Sequence, residues 1–119
     1  MDRQAAQPRP QRPHTRDPIQ IIRLEAYDDA TSVRDRLQFV ELRRVLLMFP
    51  AQGRILRRRI DLLLVVREAQ RRGLKIALLT QDPEVLEQAA EIGLSAFLTV
   101  RQARAHPPGR FVLVGGWSA

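Results

Sequence analysis

The chain has 119 residues, 45% of them hydrophobic, no cysteine and a formal charge of +7. That is one domain's worth of sequence, long enough to bury a core without disulfides or structural metals. It excludes a disulfide scaffold, thiol chemistry and a cysteine-ligated metal, and no window approaches the ~20 apolar residues of a membrane-spanning helix.

Residues 1–18 read as a basic tail. Pro8, Pro10, Pro13 and Pro18 oppose a helix, and the segment has too few apolar side chains for a core or a signal peptide. Arg3, Arg9, Arg12 and Arg16 suit an acidic partner or nucleic acid, although such tails are commonly just solvated. With no cysteine and no signal-like segment, a cytoplasmic location is expected. Lys75 is the only lysine. Arginine favours bidentate contact with phosphate or carboxylate, but the same bias follows from a GC-rich genome.

Strand-like and helix-like segments then alternate. Ile19 to Ala26 alternates apolar and polar residues, as in a strand with one face partly wet. Asp28 and Asp29 close it. Ser32-Val33-Arg34-Asp35 resembles a capping box, and the spacing of Val33, Leu37, Val40 and Phe39 predicts a helix to about Leu42. Val45 to Phe49 reads as a strand buried on both faces and stopped by Pro50. A long helix is expected from about Ile55 to Arg72, with Leu56, Ile60, Leu62, Leu63, Val66 and Ala69 on a broad apolar face and Gly73 as its cap.

Lys75 to Leu79 predicts the third strand. Asp82 at the N-cap, Pro83 at the first helical position and Glu84 in the first turn form the clearest helix start in the chain. That helix ends at Gly93. Ala96 to Leu98 predicts a fourth strand, Thr99 to Gln102 opens a short helix to about Ala105, and Phe111 to Val114 suggests a fifth strand. Residues 115–119 read as a C-terminal tail. Strands alternating with helices imply an α/β fold: a three-layer α/β/α sandwich, Rossmann-like, with a mostly parallel sheet of four to five strands spanning 19–114. The second and third strands are expected at the centre and the first near an edge.

In such sheets ligands sit beyond the carboxyl ends of the strands. Three loops gather there in this sequence. The loop after the second strand holds Gly53, Arg54 and Arg57, followed by Arg58 and Arg59. A helix start is already electropositive, so added cations there call for solvent or an anion. Gly53, Arg54 and Arg57 are therefore the candidate anion site, although one glycine makes neither a Walker loop nor a dinucleotide fingerprint. Asp28, Asp29 and Asp82 are the candidate metal ligands, a carboxylate set suited to Mg²⁺ and phosphodiester chemistry. Each of the three also suits a turn or cap. A receiver-like phosphoacceptor is set aside, because the second strand ends in Phe49-Pro50 instead of an aspartate.

Nucleophilic catalysis has little support. His14 and His106 are the only histidines, neither beside an evident Ser partner, and there is no Gly-x-Ser-x-Gly elbow. No aromatic residue lies among Arg54, Arg57, Arg58 and Arg59, so nucleic acid would be held through its backbone and without sequence preference. Trp117 reads as a packing or interface residue.

Arg44-Val45-Leu46-Leu47-Met48-Phe49-Pro50, Gly53-Arg54 and Arg58-Arg59-Ile60-Asp61-Leu62, with Leu79-Thr80-Gln81-Asp82-Pro83-Glu84-Val85, Ala90 and Gly93-Leu94, resemble a family of uncharacterised bacterial Rossmann-like α/β domains. The resemblance spans about residues 19–105 and implies a fold, with no catalytic residues. In that family the domain often precedes a membrane or multidomain region.

The expected function is a non-catalytic binding or interaction module that needs no cofactor, with a protein or a phosphate-bearing molecule as partner and homo-oligomers allowed. The alternatives are a phosphate-, nucleotide- or nucleic-acid-backbone-binding domain and a metal-dependent nuclease-like enzyme.

Overall fold

The computed structural model describes residues 18–105. The basic tail before Pro18, His14, His106, the expected strand at Phe111 to Val114 and Trp117 lie outside the described residues. Four strands and four helices alternate: β1 (Ile19–Arg23), α1 (Ala30–Leu37), β2 (Arg44–Met48), α2 (Arg59–Arg71), β3 (Lys75–Leu79), α3 (Pro83–Ile92), β4 (Ala96–Phe97) and α4 (Val100–Ala105). The sheet is all parallel in the order β1-β2-β3-β4. This is the expected Rossmann-like α/β architecture, and among the described strands β2 and β3 are central and β1 lies at an edge.

Strand order decides where the helices lie. Each crossover steps to the next strand in the same direction, so right-handed connections put α1, α2 and α3 on one face. Val33 and Leu37 of α1, Leu62, Val65, Val66 and Ala69 of α2, and Val85, Ala89 and Ile92 of α3 pack there on Ile22, Val45, Leu47, Ile76 and Leu78. On the opposite face Ala103 and Val100 of α4 join Leu46, Ala77, Phe97, Ile19, Ile21 and Leu79. The outer layers are therefore unequal, three helices against one among the described residues.

Element ends move in informative ways. The α1 box is anchored by Asp29: its carboxylate accepts from the Ser32 N–H at 2.9 Å, and Ser32 Oγ accepts from the Asp29 N–H at 2.9 Å. Ser32, expected to be the cap, is thus the third helical residue. Helix α1 stops at Leu37, and Phe39 stands 75% exposed in the turn beyond it. Helix α2 starts at Arg59, not near Ile55. Ile55 and Leu56 are buried in the preceding loop, whereas Ile60 is half exposed. Leu56 has φ 53°, in the left-handed region that side chains disfavour. Helix α3 begins as expected, with Asp82 accepting from the Glu84 N–H at 3.0 Å and Pro83 at its first position, and ends at Gly93 with φ 74°.

Candidate functional site

The loops after β2 and β3 wall a cleft of about 580 Å³ at the carboxyl edge of the sheet. Met48, Phe49, Leu79 and Leu98 supply apolar surface, while Gln52, Arg54, Arg57, Thr80, Gln81 and Asp82 supply polar groups. This is where ligands sit in open parallel sheets.

Gly53 shapes one wall. Its φ is 108°, and a Cβ there would stand 2.9 Å from Ala26 Cβ and 3.2 Å from Ala26 Cα. Only glycine permits both the backbone conformation and the approach of the β2 loop to the turn after β1. Three residues on, Leu56 bends the chain again through its left-handed conformation, and its buried side chain anchors the segment from which Arg57 projects.

Arg57 is locked across the cleft. Its Nε donates to Asp82 Oδ2 at 2.8 Å, its Nη2 to Asp82 Oδ1 at 3.3 Å, and its Nη1 lies 3.3 Å from Glu84 Oε1. The Arg57 guanidinium, assisted by the Glu84 N–H, holds the Asp82 carboxyl below its ordinary value against the opposing effect of burial. Asp82 in turn raises the pKa of Arg57. Asp82 thus caps α3 and pins Arg57 at once, and its own N–H donates to Thr80 Oγ1 at 3.1 Å.

The other arginines of the run follow the same rule. Arg58 pairs with Asp61 at 3.1 Å, and its pKa is raised by that carboxylate. Arg59 pairs with Glu91 and donates to Gln88 on α3. No side chain caps the start of α2. The anions that this arginine run calls for come largely from the chain itself. Arg54 is the exception: it lines the cleft, and no described carboxylate pairs with it.

The candidate metal ligands are engaged separately. Asp28 is buried, accepts from the Glu25 N–H at 2.6 Å and Ser32 Oγ at 2.8 Å, and pairs with Arg36 at 3.1 Å. Asp29 caps α1. Neither lines the cleft that holds Asp82. Among the described residues no group of three or more His, Cys, Asp or Glu side chains is placed to hold a metal ion.

A second polar site went unread in the sequence. Glu68 on α2 is buried and accepts from Arg71 Nη2 at 2.7 Å and Arg72 Nε at 2.6 Å, with Arg34 Nη2 of α1 3.9 Å away. These hydrogen bonds, Arg72's first, hold the Glu68 carboxyl below its ordinary value although burial opposes them. The spacing of Glu68 to Arg71 and Arg72 was the available signal; the reach of Arg34 from α1 was not in the pattern.

No helix among the described residues is long and apolar enough to cross a membrane. Comparison of the chain with protein-family models, curated proteins and solved structures gives no match.

Proposed function

We propose that this domain is a non-catalytic binding module, and that its ligand is a small molecule bearing a phosphate or carboxylate, seated in the cleft at the carboxyl edge. The observation that carries this reading is Arg54. Of Arg54, Arg57, Arg58 and Arg59 it alone lines the cleft without a carboxylate partner among the described residues. Gly53 lets the loop that carries Arg54 pack against Ala26, which shapes that wall of the cleft, and Met48, Phe49, Leu79 and Leu98 suit the less polar body of a ligand.

Binding is favoured over catalysis by the state of the ionisable lining groups. These are Arg54, Arg57 and Asp82. A carboxylate clamped by a guanidinium stays ionised and is a weak proton acceptor near neutral pH, and guanidiniums do not exchange protons there. The test is a thermal-shift series with inorganic phosphate, a nucleoside monophosphate and a dicarboxylate. At least one should raise the Tm of the wild type and leave Arg54→Ala unchanged. Equal shifts in both proteins, or none in either, would count against the site.

A further inference from the structure

We propose that the outer edge of β1 is a self-association surface, to which a second copy of this chain adds its own β1 antiparallel across a two-fold axis. Strand β1 ends the sheet, paired with β2 alone among the described residues. Backbone groups of successive strand residues face opposite sides. The Leu24 N–H donates to the Met48 carbonyl at 2.8 Å, so Gln20, Ile22 and Leu24 face β2. Ile19, Ile21 and Arg23 therefore turn their N–H and C=O groups outward. Of these the Arg23 carbonyl is covered, accepting from Arg36 Nη2 at 2.6 Å. A row of outward donors and acceptors is a template for another strand.

The surroundings fit such an addition. A groove of about 490 Å³ runs beside the strand, lined by Gln20, Ile21, Ile22, Arg23, Arg36 and Phe39. Phe39, 75% exposed, offers an apolar ring on the α1 side, and Ile19 and Ile21 offer half-buried side chains on the α4 side. An exposed aromatic beside an open strand edge is a usual component of an association surface.

Symmetry and charge select the second copy as occupant. A two-fold axis at Ile21 pairs Ile21 with Ile21 and Ile19 with Arg23. All of these residues face outward, so the pairs fall in register without a slip. The Ile21 pair can exchange both bonds, while in each Ile19–Arg23 pair the Arg23 N–H donates to the Ile19 carbonyl and the Arg23 carbonyl stays with Arg36. The edge carries Arg23 and Arg36 at one end. Glu41 lies at the other, where its N–H donates to Gln20 Oε1 at 3.0 Å. Antiparallel addition brings the Arg36 end of one copy to the Glu41 end of the other, whereas parallel addition would set Arg23 beside Arg23. This surface is separate from the cleft, so the proposal stands without the ligand.

Sedimentation equilibrium of the full chain tests it. The wild type should show a monomer–dimer equilibrium. Ile21→Pro removes an outward N–H and leaves the bonds to β2 intact, as proline on a sheet edge does; it should raise the dimer Kd at least about tenfold, a loss of ~1.4 kcal/mol. Phe39→Glu changes an exposed residue that the fold does not need and should weaken the dimer even if Ile21→Pro folds poorly. Glu41→Arg should weaken it further by setting cation against cation. A wild type that stays monomeric to millimolar concentration overturns the proposal, as does a dimer whose Kd in both Phe39→Glu and Glu41→Arg equals that of the wild type. A monomer that binds an unrelated extended peptide along β1 also overturns it, and gives the edge to a foreign strand.

Discussion

The two ends of α2 both gather arginines, and they neutralise them differently. At the end of the helix, Arg71 and Arg72 share the single buried carboxylate of Glu68 with Arg34. Cations there are favoured by the negative end of the helix, so one carboxylate serves three. At the start the helix opposes cations, and the guanidiniums take separate anions: Arg57 has Asp82 and Glu84, Arg58 has Asp61, and Arg59 has Glu91. Arg54 has no such partner among the described residues and borders the cleft. The first arrangement ties the end of α2 to its own Glu68, with Arg34 of α1 3.9 Å away. The second leaves Arg54 without a carboxylate partner among the described residues.

Glu68→Ala attacks the first arrangement and is expected to give the largest loss of stability, because it removes the buried acceptor of Arg71 and Arg72 and the ion-pair partner of Arg34 on α1. Thermal unfolding of this variant should show a lower Tm than any single arginine replacement at the start of α2; an equal Tm would mean that the arrangement contributes little. Gly53→Ala comes next. The strained φ and the contact with Ala26 should cost about 1–3 kcal/mol in a denaturant titration. Asp82→Ala should cost about 1 kcal/mol through the lost α3 cap and should also free Arg57 from its fixed orientation. Arg54→Ala should leave the Tm unchanged and remove anion binding, which separates the cleft cation from its paired neighbours.

Acid provides a graded version of the same comparison. Glu68 and Asp82 both titrate below their ordinary values in the folded chain. Their stabilisation is therefore fully present above the unfolded carboxyl values and is lost as pH falls through the lower folded ones. The Tm should decline on acidification below about pH 4.5, and the decline should be shallower in Glu68→Gln, which has no proton to take up there. An unchanged slope in that variant would remove Glu68 from the acid response.

Much of the fold was legible because it rests on local chemistry. The β3 run, the Asp82-Pro83-Glu84 start and Gly93 are complete signals within a few residues, and each forms as read. The start of α2 was misread for the opposite reason. Leu56 and Ile60 fit helical spacing, but the close approach of Gly53 to Ala26 and the left-handed Leu56 hold residues 53–58 as an irregular loop. Those are tertiary constraints with no periodic trace. Phe39 likewise fits the apolar side of α1 by spacing, yet the helix ends before it. At the carboxyl edge the residue types were visible but not their pairings. Arg57 and Asp82 are 25 positions apart, and nothing in either segment marks the other as its partner.

The proposed function rests on the carboxyl-edge cleft receiving an anion through Arg54. Amide chemical shifts recorded during titration with inorganic phosphate test it most directly. The expected result is saturable perturbation centred on Gly53, Arg54, Thr80 and Gln81 in the wild type and absent in Arg54→Ala. Perturbation centred instead on Arg34, Arg71 and Arg72, or a response that persists unchanged in Arg54→Ala, would contradict it.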